Sequence, residues 1–251
     1  MNVPASFTSI KFLFISLAMI VFVACEDEKE DVDTSSFGYE YLPLMAGKYR
    51  IYQSDSIILR SGGTIRDTVS SRLKEVMDNY SVDANGDTLF TIKIYYQGPN
   101  DTAFTYQKSV FMTRDQQKVT RQEDNLVFTK MVYPLKAGIR FNHNQYFDPT
   151  VDIEIGGEIF MGMYNDWNTR VEALNGPLFW QGQQTDNVRI RLVDDSSTSL
   201  EKKLYYETYI KNVGLYSKKM IFLQDNKGGS TPIEQRAIKG FYHDLFLIEH
   251  N

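Results

Sequence analysis

The chain has 251 residues, 42% of them apolar and 24% charged, which excludes a wholly disordered polymer and allows one sizeable core. Its formal net charge is −5, and Lys and Arg gather on no recognisable face, so no nucleic acid partner is expected. Sixteen Tyr and sixteen Phe stand beside a single Cys, which excludes any internal disulfide.

Met1 to Lys11 carries one positive charge and no acid, and Phe12 to Ala24 is apolar except for Ser16. A helix over that apolar run would cover about 20 Å, short of the hydrocarbon core of about 30 Å, so residues 1–24 read as a secretory signal and not as a permanent span. The run ends in Phe22-Val23-Ala24-Cys25, with a small residue directly before the cysteine. This arrangement resembles a bacterial lipoprotein box, with Phe22 and Val23 in place of the commonest Leu and Ala or Ser. The resemblance implies cleavage before Cys25, a diacylglycerol on its thiol and an acyl chain on the new amine, with no other cofactor. Several acyl chains at about 0.8 kcal/mol per buried methylene would anchor the chain to a membrane. An ordinary signal peptide with a chance cysteine is the alternative.

Residues 26–31 are Glu-Asp-Glu-Lys-Glu-Asp, and 32–36 are equally poor in apolar surface, so 25–38 is expected to be a solvated tether. An acidic run after the lipid cysteine is similar to the lipoprotein export signal of Bacteroidota. That similarity implies the outer membrane, facing the cell surface, with a periplasmic face as the alternative. The same phylum O-glycosylates Asp-Ser/Thr before a small aliphatic residue. Such triplets place acceptors at Ser56, Thr68, Thr88 and Thr102. An Asp leaving a turn before a β-branched residue explains the pattern structurally as well.

A single all-β domain, mainly antiparallel, is expected over residues 39–251. Thr88–Gln97 alternates apolar and polar residues, and the Asn85-Gly86 pair before it predicts a tight hairpin with Thr68–Val82. Further strands are predicted over Ala103–Thr113, Lys118–Gln122, Leu126–Val132, Val151–Ile155, Val188–Val193, Leu204–Ile210, Leu215–Leu223 and Phe241–Glu249. Polar loops are expected at 194–197 and 226–230. At this strand density a curved sheet, barrel or sandwich follows, with at most one or two short helices. Gly162–Leu174 is the segment where a helix is expected.

Leu42-Pro43-Leu44-Met45-Ala46-Gly47 recurs as Tyr133-Pro134-Leu135-Lys136-Ala137-Gly138, which reads as one turn recipe used twice, through duplication or by chance. This turn, Gly47-Lys48-Tyr49-Arg50-Ile51-Tyr52 after it and Tyr209-Ile210-Lys211-Asn212-Val213-Gly214-Leu215-Tyr216 together resemble uncharacterised Bacteroidota lipoproteins. The resemblance implies a β-rich export product and carries no known chemistry.

Motifs for catalysis are not found, so no catalytic residue and no enzyme activity is expected. His143, near Asp148, Asp152 and Glu154 in sequence, reads as a polar loop and not as a metal ligand, and no metal is expected. Asp83-Ala84-Asn85-Gly86-Asp87 lacks the glycine position and closing glutamate of a calcium loop and reads as a turn. Trp167 and Trp180 are the candidates for stacking on a ligand, with core packing as the competing role. The expected function is a membrane-anchored envelope lipoprotein that binds a glycan or an envelope protein at the cell surface. The alternative is a periplasm-facing carrier or sensor of an apolar, lipid-like molecule.

Overall fold

The computed structural model describes residues 36–84, 86–193 and 198–251. The expected signal peptide, Cys25 and nearly all of the tether lie outside the described residues, as do Asn85 and the loop 194–197. A compact unit runs from Phe37 to Asn251. Phe37 and Gly38, read from sequence as tether, belong to it, because the Phe37 carbonyl accepts the Leu135 amide at 2.9 Å.

The unit is one large curled antiparallel sheet, so the all-β expectation holds. Its first meander is β1 (Tyr49–Arg60), β2 (Ile65–Val82), β3 (Thr88–Gln97), β4 (Thr105–Arg114), β5 (Lys118–Glu123) and β6 (Leu126–Val132). The small hairpins β7–β8 (Ile153–Ile155, Glu158–Phe160) and β10–β11 (Phe179–Trp180, Gln183–Gln184) flank β9 (Arg170–Leu174). β12 (Asn187–Val193), β13 (Glu201–Ile210), β14 (Gly214–Gln224) and β15 (Lys239–His250) complete the chain, with a helical turn α1 (Ile233–Arg236) before the last strand. The strand order is β6-β5-β4-β3-β2-β1-β15-β14-β13-β12-β9, so pairing of β1 with β15 joins the two meanders.

Period-two alternation sends one side of each strand into the concave face. On β3 these are Phe90, Ile92 and Ile94, and the β4 residues Met112 and Val110 stand opposite the first two. Fully buried Phe160 brings β7–β8 over one end of that face, edge-on to Phe222 and Phe241 at 5.6 and 5.4 Å. Toward the other end of β15, Trp180 brings β10–β11 against the Tyr52–Leu245–Leu247 cluster. On the opposite side of the sheet, Ile233 of α1 packs with Leu59 and Leu223.

The predicted helix over Gly162–Leu174 is not formed. Gly162 and Asp166 both have φ of 61°, which no right-handed helix accepts, and the Trp167 indole donates to the Met163 carbonyl at 2.9 Å. Residues 161–166 are turns, 167–169 are irregular, and β9 begins at Arg170. Val151–Ile155 is strand only over β7, which pairs with β8 and stays out of the large sheet.

The repeated turns share one hydrogen-bond pattern. Gly47 (φ 82°) donates to Met77 O and Met77 N returns to Lys48 O, both at 2.8 Å. Gly138 (φ 84°) donates to Val171 O at 2.8 Å and Val171 N returns to Ile139 O at 2.9 Å. Left-handed φ explains the glycine in both copies. After the first turn the chain continues as β1. After the second it makes one bridge, Arg140 to Arg170, and Phe141 N donates to Thr169 O at 3.1 Å. It then crosses to the far edge strand, where His143 O accepts Thr129 N at 2.8 Å. Residues 139–143 thus tie β9 to β6 and close the curl.

Candidate functional site

Beside this closing segment lies a cavity of about 480 Å³, within the size range of small-ligand sites. Three pieces of chain build it: the β4–β5 turn with Gln116, Gln117 and Lys118, the exit of β6 at Tyr133, and the crossing segment with Phe141, Asn142 and Gln145. Phe37 lines it from the start of the unit.

Asp115 sets the turn, since its Oδ1 accepts the amides of Gln117 and Lys118 at 2.6 and 2.7 Å. Tyr133 N donates to Gln117 O at 2.7 Å, and the Tyr39 hydroxyl donates to Gln116 O at the same distance. These bonds engage the Gln117 and Lys118 amides and the Gln116 and Gln117 carbonyls, and the two Gln carboxamides project with no hydrogen-bond partner among the described residues. On the opposite wall Gln145 Nε2 donates to Thr129 Oγ1 at 2.8 Å, leaving its carbonyl oxygen, and Asn142 Oδ1 accepts Asn144 N at 2.9 Å, leaving its amide nitrogen. Tyr133 is buried edge-on to Tyr39 at 4.4 Å. Its hydroxyl has no partner among the described residues, and burial raises its pKa. Lys118 sits 5.3 Å from the Tyr146 ring centre, and the neighbouring Tyr146 hydroxyl raises its pKa, so the ammonium stays charged.

A second polar cluster occupies the middle of the concave face. Ile190, Glu207, Lys218, Leu245, Ser54 and Ser71 stand in register across neighbouring strands. Glu207, 1% exposed, receives Lys130 Nζ at 2.5 Å, the Tyr205 hydroxyl at 2.7 Å and the Tyr209 hydroxyl at 2.5 Å. Burial alone would raise its pKa, but Lys130 and the hydrogen bonds outweigh burial and hold it at about 2. Arg121 reaches Glu75 at 2.9 Å and Glu123 at 3.0 Å. Lys218 lies 5.5 Å from the Tyr205 ring centre, and burial, with Lys130 adding to it, lowers its pKa. His243, 3.2 Å from Ser54 Oγ, is pushed down to about 3 by burial and by Lys218.

The residues singled out from sequence fall elsewhere. Trp167 is half-buried, stacked on His143 at 5.4 Å and edge-on to Tyr164 and Tyr205. Trp180 leans on His250 at 5.1 Å and on Tyr216. Neither Trp lines the cavity. His143 is 2% exposed between Phe128 and Trp167, and burial pushes its pKa down to about 3, while Asp148 accepts from Thr150. Among the acceptors, Thr68 and Thr102 are exposed, whereas Ser56 and Thr88 are half-buried. The Asp83–Asp87 segment closes as a turn, with Asp83 N donating to Asp87 O at 3.0 Å. Sequence reading passed over the cavity residues. The one available signal was the amide-rich Asn142-His143-Asn144-Gln145 run that begins four residues after the second repeated turn.

No family model and no curated protein matches the sequence. Solved structures similar to the chain include the following two. One is a candidate lipoprotein from Parabacteroides distasonis, with a TM-score of 0.39 and 9% identity, covering 84% of this chain and 98% of that one. The other is a candidate exported protein with a YmcC-like fold from Bacteroides fragilis, with a TM-score of 0.33 and 10% identity, covering 84% of this chain and 98% of that one.

Proposed function

We propose that the chain is a cell-envelope lipoprotein, anchored through lipid on Cys25, whose β unit binds a small hydroxyl-rich ligand of the glycan class at the cell surface. The observation that carries this reading is the cavity, where aromatic rings stand beside carboxamides with unused hydrogen-bond capacity. Sugars offer apolar C–H faces and pairs of hydroxyls, which aromatic and amide groups match. The lining contains no Ser, Cys, His or carboxylate, which favours binding over catalysis. The apolar run ending at Cys25, and the acidic run after it, support the anchor and the outward-facing location.

An apolar carrier would need open volume on the concave face. That face is occupied by the chain's own side chains, among them Phe90, Ile92, Phe160 and Tyr209.

Two experiments test the proposal. Cys25→Ser is expected to move the protein out of the membrane fraction, and protease added to intact cells is expected to digest the wild-type domain. A fully protected domain overturns the surface location. On a glycan array the full chain, purified in detergent, is expected to retain at least one glycan, with Phe141→Ala weakening retention at least tenfold. Retention of none overturns the ligand class.

A further inference from the structure

The chemistry of the cavity narrows its ligand further, resting on the reading just given. Several of its backbone groups are already engaged, so it presents no uninterrupted strand edge. The amides of Gln117 and Lys118 go to Asp115, that of Tyr133 to Gln117 O, that of Phe141 to Thr169 O and that of Thr129 to His143 O. Binding a peptide by strand addition requires such groups to be free. The unused capacity belongs to side chains: the carboxamides of Gln116 and Gln117, the nitrogen of Asn142 and the carbonyl oxygen of Gln145.

One charge stands among them. Lys118 is the only ionised side chain in the lining, and it forms no salt bridge among the described residues, although Asp115 and Asp87 act on it from farther away. Its companion is the face and hydroxyl of Tyr146, which leaves donor directions of the ammonium open. A cavity with an unpaired cation and no anion favours a ligand that brings its own negative charge.

We infer that the cavity takes an acidic sugar, a uronic acid class residue, with its carboxylate on Lys118, its hydroxyls on Gln116, Gln117, Asn142 and Gln145, and its ring against Phe141.

Isothermal titration of the full chain in detergent compares glucuronate- and galacturonate-containing oligosaccharides with their neutral glucose and galactose counterparts. The acidic member of each pair is expected to bind at least tenfold tighter at low salt, with the advantage shrinking as salt rises. Lys118→Gln is expected to bring the acidic-to-neutral ratio close to one and Lys118→Arg to preserve it, with thermal denaturation confirming that both variants fold. Neutral sugars binding as tightly as acidic ones to the wild type overturn the charge assignment and leave the glycan reading standing. An oligoglutamate peptide binding as tightly as the uronates overturns the sugar class. Binding of none of these probes by the folded wild type overturns both.

Discussion

The cavity beside Tyr133 and the ionic belt at Glu207 are polar clusters on one curled sheet, and they treat their polar groups in opposite ways. In the belt, Glu207 has three donors and Arg121 two carboxylates, all supplied by the chain itself. In the cavity, carboxamides and a lysine face open volume with part of their capacity unused. A buried polar group without a partner costs stability, and at Glu207 and Arg121 the fold supplies the partners, although Lys218 beside them makes no ion pair and the Tyr52 hydroxyl no hydrogen bond among the described residues. An exposed cluster is completed by water until a ligand replaces it. The belt is therefore read as structure and the cavity as function, although both contain residue types that sequence inspection treats alike.

Glu207→Ala breaks the comparison most strongly. It strands Lys130 and the hydroxyls of Tyr205 and Tyr209, and the expected loss in urea denaturation is about 3–5 kcal/mol. A loss below about 1 kcal/mol would place the belt with ordinary surface pairs.

Acid attacks the same region. His143 and His243 have folded pKa values of about 3 against an ordinary 6.5, and Glu207 about 2 against 4.5. In each window the unfolded chain binds more protons, so stability falls as pH drops, from about 6.5 toward 3 for the histidines and from about 4.5 toward 2 for Glu207. Each group contributes at most about 1.4 kcal/mol per pH unit within its window. His243→Gln should remove one proton's share of the slope between pH 6 and 4, a difference visible in urea midpoints measured at both pH values. An unchanged slope would show that His243 titrates normally in the folded state.

Gln117→Ala sharpens the contrast from the other side. Its exposed carboxamide holds nothing in the free protein, so stability should stay within about 0.5 kcal/mol while ligand affinity falls severalfold. A stability loss comparable to that of a core substitution would move the cavity into the structural class.

The long, regular parts of this fold were legible in the residues. Alternation over Thr88–Gln97 and the Asn85-Gly86 pair specify a hairpin because both signals are local. β9 was not legible, being five residues long and specified by its contacts with β12 and with the backbone after Gly138. The belt was hidden for another reason. Lys203 and Glu207 alternate with Tyr205 and Tyr209 on the buried face of β13, where pattern rules expect apolar residues. The cavity draws on residues 37, 116–118, 129, 132–134, 141, 142 and 145, which only the closure of the sheet brings together. The repeated Pro-Leu-x-Ala-Gly turn was visible in sequence, but its consequence, a chain crossing between edge strands, required knowing which strands the edges are.

An open sheet of eleven strands ends in two rows of unpaired backbone groups, and each row is a template on which a second copy can add its own strand. Here one short piece of chain sits on part of both rows, with Phe141 N spent on Thr169 and His143 O on Thr129. The crossing that shapes the cavity thereby also covers edges open to edge-to-edge polymerisation, so a substitution that loosened it would be felt first as self-association.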